Sequence, residues 1–327
     1  MEPLKVSLVG CGGIGEVHAR IIKQTASFLS CCDTDLSLAA EFGETFGVKH
    51  YGTLRELVNA EKPDVLHIAT PHYTHVPLAL YALRHGIHVF MEKPAAHCRA
   101  EMDALISESA KLPPQLAVCF QNRYSPFARK AKELIDSGAA GRPLGARAIV
   151  TWSRSGDYYT GSPWRGALNT EGTSILINQS IHTIDLLQYL LGAPIEVDGS
   201  TRNRGHKDIC GTEDAAEALL TFEGGVKAAV YCTTNYVPGF DDTLLEIACE
   251  NMCLTLRNQD LLIDGEPQPL EKLKLLGKPC WGGAHEVIIR EFYEHISSGK
   301  RFPLDVISGS QALRTCFDIL SSPILPR

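Results

Sequence analysis

The glycine-rich run Gly10-Cys11-Gly12-Gly13-Ile14-Gly15 is the first place in this chain where residue types and spacing imply chemistry. It has the form GxGxxG, follows a strand-like segment over 6–9 and opens a helical pattern over 13–25. In such a loop the first glycine makes a tight turn and the second lets the backbone approach a pyrophosphate. The third lets helix and strand pack closely. The helix N-terminus then faces the phosphates with partial positive charge. Gly10, Gly12, Gly13, Ile14 and Gly15 are therefore candidate cofactor contacts. A lone GxGxxG is a weak pattern, but Asp33 strengthens it by ending the second strand pattern over 28–32. A carboxylate there accepts hydrogen bonds from ribose hydroxyls and repels a phosphate on the same ribose, which predicts NAD over NADP. The alternative for Asp33 is a helix N-cap.

Two further clusters carry acid–base chemistry. Glu92-Lys93-Pro94 follows a strand pattern over 88–91, at the carboxyl edge of a sheet where ligands bind in open α/β folds. Lys93 there either orients a substrate hydroxyl and shares its proton, or forms a surface ion pair. Asn178, His182 and Asp185 stand at i, i+4 and i+7 on one face of a helix expected over 174–191. A histidine on an apolar helix is also a common satisfied core residue, anchored by an acid at i+3. His72 and His75 have the spacing of a metal pair but lack further ligands, so no metal is expected. With Thr70 and Pro71 they follow another strand end, where contact with a cofactor is expected. Tyr158 and Tyr159 offer either a stacking face for a sugar ring or packing for their own loop.

The elements that must position these groups alternate strand and helix as far as about residue 122, with short connections. That alternation specifies a doubly wound parallel α/β sheet. Beyond it, strand patterns at 197–201, 215–222, 226–233, 243–248 and 252–256 succeed one another without intervening helices, which implies a mostly antiparallel sheet. Domains of 1–122 and 123–327 follow. The formal net charge of -7 makes nucleic acid an improbable partner. No segment has the eighteen consecutive apolar residues of a membrane span. The first residues lack a signal peptide's charged start and apolar stretch, so a cytoplasmic location is expected. The eleven cysteines contain no CxxC and sit mostly in apolar runs, the pattern of buried thiols in a reducing compartment.

Taken in order, GCGGIGEVHAR, CCDTD, DVLHIATPHYTHVPLALYALRHGIHVFMEKPAA, SPWRG, EGTSILINQSIHTIDLLQYLLG and GGAHEVIIREFYEHISSGK resemble the glucose–fructose oxidoreductase, inositol dehydrogenase and MocA family. The resemblance covers essentially the whole chain. It implies an N-terminal Rossmann domain, a C-terminal α/β domain with a large, mostly antiparallel sheet, and reversible hydride transfer between NAD and a carbinol of a carbohydrate-like substrate. It implies that Lys93 contacts substrate near the nicotinamide, that Glu92 sits by the nicotinamide ribose and that His75 lies beside the cofactor. His182 matches the catalytic histidine, and Arg165 matches a residue that lines the cleft with Asn178. A homodimer or homotetramer is implied as well. The chain departs from the family's pattern at Gly172-Thr173-Ser174, where many members have three glycines, and at Asn178, where many have aspartate. Asparagine hydrogen-bonds but cannot act as a base. Two other functions stay compatible with the residues: a cofactor-sensing regulatory protein, and a glycosidase or lyase that oxidises its sugar transiently and regenerates NAD.

Overall fold

The structure, a computed structural model, describes residues 2–278 and 281–321. The chain divides into two compact units: residues up to Gln121 with Lys274–Ser310, and Asn122–Leu273 with the chain from Gln311 onward.

The first unit carries six parallel strands, β1 (Lys5–Val9), β2 (Ser27–Cys32), β3 (Lys49–Tyr51), β4 (Val65–Ile68), β5 (His88–Glu92) and β6 (Leu116–Cys119), in the order β3-β2-β1-β4-β5-β6. Helices α1 (Gly13–Thr25), α2 (Leu36–Phe46), α3 (Leu54–Glu61), α4 (His75–Arg84) and α5 (Arg99–Ser109) connect them. Strand order reverses at the β1–β4 pair. The register aligns Val9 with Cys32 and Ile68, and Ile68 with Met91. The residues that follow these strands therefore emerge level along one edge, the ligand edge of doubly wound sheets. Local chemistry fixes the ends. Asp35 caps α2 by accepting from Ser37 and Leu38 backbone N–H, and Gly47 closes it at φ 69°.

A single boundary after 122 would put 274–310 in the second domain. Here that segment returns to the first unit. Its helix α9 (His285–Ser298) buries Ile288, Ile289 and Phe292, packs against α1 and β6, and sets Phe292 5.5 Å from the Phe90 ring.

The second unit begins with α6 (Pro126–Asp136), capped by Ser125 with proline in its first turn. Next come β7 (Pro143–Thr151), the short α7 (Gly156–Thr160), a π-helical turn Ser174–Ser180 and α8 (Ile181–Leu191). Strands β8 (Glu196–Arg202), β9 (Ala215–Thr221), β10 (Lys227–Thr233), β11 (Asp242–Cys249), β12 (Cys253–Arg257), β13 (Asp260–Ile263) and β14 (Glu266–Pro267) complete a sheet of order β14-β13-β12-β11-β7-β10-β9-β8. Every pairing is antiparallel except β7 with β10, the pair that a long crossover separates in sequence. The final helix α10 (Val306–Ser321) spans the division between the units. The sequence pattern predicts one helix over 174–191. The wide turn at its start is instead held by Ser180 Oγ, which donates to the Ile175 carbonyl at 2.8 Å.

Candidate functional site

In the first unit the glycine loop is set by backbone contact. Gly10 has φ +97°, and a Cβ there would lie 2.3 Å from the Ala69 carbonyl oxygen. A Cβ on Gly15 would lie 2.0 Å from the Gly10 oxygen. Neither position admits a side chain. Gly12 is different: a Cβ there meets nothing within 4 Å, so the loop's outer side is an open cradle over the start of α1. Gly13 and Ile14 form the first turn of that helix, whose amides are unsatisfied donors. The Asp33 carboxylate accepts the Cys11 N–H at 2.9 Å through one oxygen and the Asp35 N–H at 3.0 Å through the other. Asp35 is the helix cap; Asp33 braces the loop. A carboxylate has about four acceptor positions, so two remain for ribose hydroxyls. These residues fit a dinucleotide.

Thr70 and Pro71 follow β4 at the same edge, with the Thr74 hydroxyl donating to Thr70 Oγ1 at 2.7 Å. His75 is fully buried. One ring nitrogen faces the Pro94 carbonyl at 2.8 Å and the other faces the Thr70 carbonyl at 2.9 Å. His75 thus ties the β4 loop to the β5 loop; a neutral ring donates to one of these carbonyls and keeps a lone pair on its other nitrogen. Burial lowers its pKa. Lys93 is half-buried at the end of β5, and its bond to Pro94 is cis. Glu92 lies beneath it and accepts from His18 Nε2 at 3.0 Å, with His285 Nε2 3.7 Å away. Burial alone would push this carboxyl up, but the His18 hydrogen bond and the nearby Lys93 hold it well below the usual carboxylate range. The sequence pattern did not single out His18, His67, His285 or Tyr293, which surround Glu92 or its partners. Their signal is a run of polar residues at otherwise apolar positions of α1, β4 and α9.

In the second unit, Asn178 stands in the π-helical turn and donates from Nδ2 to Glu171 Oε1 and to the Tyr158 hydroxyl, the latter at 3.2 Å. Glu171 is fully buried and also accepts the Gly166 N–H at 2.6 Å. The Arg165 guanidinium lies 4.4 Å from the centroid of the Tyr158 ring and donates to the Tyr158 carbonyl at 3.3 Å. Asn178, Tyr158 and Arg165 are therefore brought together, with Glu171 as a member the sequence did not reveal. Tyr158 contributes its hydroxyl, since Arg165 and Arg154 rest on its ring. Tyr159 is a correction to the stacking expectation. It is 2% exposed, and its hydroxyl is held by Thr234 at 3.1 Å and Ser174 at 3.2 Å, so it packs the loop. His182 is half-buried in the first turn of α8. Arg123 donates to both oxygens of Asp185, at 2.8 and 2.6 Å, and so anchors the helix. Glu213, also unforeseen, accepts the Leu176 N–H at 3.1 Å, and burial pushes its carboxyl up to about 7. The cysteines other than Cys280, which lies outside the described residues, carry free thiols. No described helix is long and apolar enough to cross a membrane.

Two family models match the chain. One, described as the oxidoreductase family with an NAD-binding Rossmann fold, covers residues 4–120; the other, the GFO/IDH/MocA C-terminal domain, covers residues 128–255. The D-apiose dehydrogenase of Rhizobium rhizogenes is 30% identical over 76% of this chain and 71% of that protein. The D-apiose dehydrogenase of Paraburkholderia graminis is 28% identical over 71% of this chain, which spans 61% of that protein's length. The WlbA dehydrogenase of Bordetella pertussis, solved with NADH and UDP-GlcNAcA, superposes with a TM-score of 0.87 over all of both chains at 22% identity. The glycine cradle, the parallel sheet with order reversed at β1–β4 and the paired family matches agree, and the chain belongs to the GFO/IDH/MocA family of NAD-binding Rossmann-fold oxidoreductases.

Proposed function

We propose that the protein transfers a hydride between NAD and a carbinol of a sugar, glycoside, sugar nucleotide or cyclitol. The observation that carries this reading is the carboxyl edge of the parallel sheet, where an open glycine cradle and the Glu92-Lys93 pair emerge from neighbouring elements. The names of the related D-apiose dehydrogenases support a carbohydrate substrate.

NAD, when bound, supplies the hydride acceptor or donor. The loop from Gly10 to Gly15 binds its pyrophosphate, and Asp33 binds the adenosine ribose and disfavours a phosphate there. Lys93 orients the reacting hydroxyl and stabilises negative charge that develops on its oxygen. His182 takes the hydroxyl proton on its imidazole as general base. Asn178, Tyr158 and Arg165 hold neighbouring hydroxyls of the substrate. Asn178 cannot replace a proton-accepting aspartate, so the base role falls on His182 alone. The exposed Leu219 and Tyr231, on adjacent strands β9 and β10, support association through the open face of the second sheet as a homodimer or homotetramer. The free thiols support a cytoplasmic location.

The test is NADH formation from NAD over a panel of sugars, glycosides, sugar nucleotides and cyclitols, with Lys93→Met as control. Turnover on one class, falling by roughly 10²–10⁴-fold in the variant while NADH binding persists, establishes the dehydrogenase. Normal turnover by Lys93→Met removes Lys93 from the mechanism. Silence across the panel with intact NADH binding redirects the reading to a redox-neutral glycosidase or a regulatory binder.

A further inference from the structure

Behind Glu92 the first unit buries an unbroken run of polar side chains. The Tyr293 hydroxyl lies 2.7 Å from His67 Nε2, His67 Nδ1 lies 2.9 Å from His18 Nδ1, and His18 Nε2 lies 3.0 Å from Glu92 Oε1. Tyr293 comes from α9, His67 from β4, His18 from α1 and Glu92 from β5. All four are buried, both histidines completely. Each junction needs one hydrogen, so the direction of the whole run follows from either end.

At one end the phenol is a donor that burial keeps protonated. If it donates to His67 Nε2, His67 must carry its hydrogen on Nδ1, and His18 must accept there. His18 then carries its hydrogen on Nε2 and donates to Glu92, which ends the run as an ionised acceptor. Every junction is satisfied with both rings neutral. The reverse polarity fails at both ends. His67 Nε2–H would point at the phenol oxygen and leave the phenolic hydrogen without an acceptor among the described residues. A neutral His18 would also turn a bare nitrogen towards a carboxylate, which costs the desolvation of both. Burial, and the neighbouring His18, lower the His67 pKa well below its ordinary value, which opposes a doubly protonated ring.

We propose that Tyr293, His67 and His18 form a one-way hydrogen-bond chain that fixes the tautomer of each imidazole and thereby keeps an N–H donor aimed at Glu92 beside Lys93. This rests on the reading of Lys93 and the cofactor edge given above. Glu92 is a positioning residue in this scheme, and Tyr293 acts on it across two rings. The charged and titratable groups that face Glu92 are His18 from α1, Lys93 from its own loop, His75 from α4, Cys119 from β6 and His285 from α9. Cys119 keeps its proton, since burial raises its pKa. His285 is lowered to about 4 by burial, so it remains neutral through the working range. His18, Glu92 and Cys119 also place three ligand-type atoms within 4.8 Å of one another. The hydrogen on His18 Nε2 distinguishes the chain from a metal centre, which would need that nitrogen bare.

The first measurement is nitrogen-15 NMR on the full chain labelled at histidine, with zinc content determined on the same sample. The expected result is His67 protonated on Nδ1 and His18 on Nε2 at pH 8, and no stoichiometric zinc. A His18 ring bare at Nε2, a His67 ring protonated at Nε2, or one zinc per chain overturns the proposal without any variant. The second measurement is NADH affinity at pH 7.5 in wild type and Tyr293→Phe. Loss of the phenol leaves His67 Nε2 without a donor and frees both tautomers, which should weaken binding about fivefold, the worth of one hydrogen bond. In the variant His18 should lose its single tautomer although the substitution lies two residues along the chain of contacts. Correct tautomers in wild type with an unchanged NADH affinity in the variant would retain the hydrogen-bond chain and reject the placement of Glu92 at the cofactor edge, so the two readings fail separately.

Discussion

Glu92 and Glu213 are both buried carboxyls, one in each unit, and they sit on opposite sides of the ordinary carboxylate range. Glu92 is held well below it, and Glu213 is pushed up to about 7. Burial raises both. The difference lies in the partners. Glu92 receives an imidazole N–H and has a lysine beside it. Glu213 receives the backbone N–H of Leu176, and its charged neighbour Glu171 repels it. Depth therefore does not fix the charge of a buried acid. The donors and charges that surround it do.

The largest effect on this contrast should come from Glu92→Gln. Replacing the carboxylate by an amide weakens the hydrogen bond from His18 and removes the charge beside Lys93, which should cost about 3 kcal/mol of stability at neutral pH, the upper end for a hydrogen bond to a charged group. A depressed folded pKa gives stability that is present above the unfolded value and lost as pH falls, so the deficit should narrow below pH 4.5. Urea denaturation at pH 7 and pH 4 measures it; a deficit that is the same at both would reject the ionised assignment.

Glu213→Gln should act in the opposite direction. A raised folded pKa means that folding takes up a proton between the unfolded value of 4.5 and the folded value of about 7. The stabilisation is full below the first value and is lost as pH rises through the second. A rise of that size corresponds to about 3 kcal/mol. The variant should match wild type near pH 4.5 and exceed it at pH 8. Parallel stability curves for the two proteins would show that Glu213 ionises freely. The smallest effect should come from Tyr158→Phe, which removes one hydrogen bond from Asn178. About 1 kcal/mol is at stake, read as a fivefold loss in kcat/KM on the substrate that the panel identifies, with NADH affinity unchanged. A loss confined to NADH affinity would place Tyr158 with the cofactor instead.

Periodicity located nearly every strand and helix because burial imposes a period of two or of 3.6 on the residues themselves. It missed β3, β13, β14 and α7, which are two to five residues long and carry too few positions to show a period. It also merged the π-helical turn at Ser174–Ser180 into α8, since the distinguishing hydroxyl contact of Ser180 leaves no trace in hydropathy. The glycine loop and the places of Asp33 and Lys93 just beyond strand ends were legible because their local geometry is short-range. Tyr159 looked like Tyr158 in sequence, and only burial separated a packing ring from a hydroxyl that faces Asn178.

The sequence by itself determined the Rossmann topology of the first unit, the antiparallel character of the second, and the cradle for a dinucleotide. These follow from backbone sterics and from apolar patterning, both local properties. Only the tertiary structure decided that residues 274–310 rejoin the first unit and bring Tyr293 to His67. It alone decided that His75 braces two loops and that Asp185 belongs to Arg123. It alone shifted the Glu92 and Glu213 carboxyls in opposite directions. Each of these depends on which distant groups share a volume shielded from water, and the charge on a buried group is set by that company rather than by its neighbours in sequence.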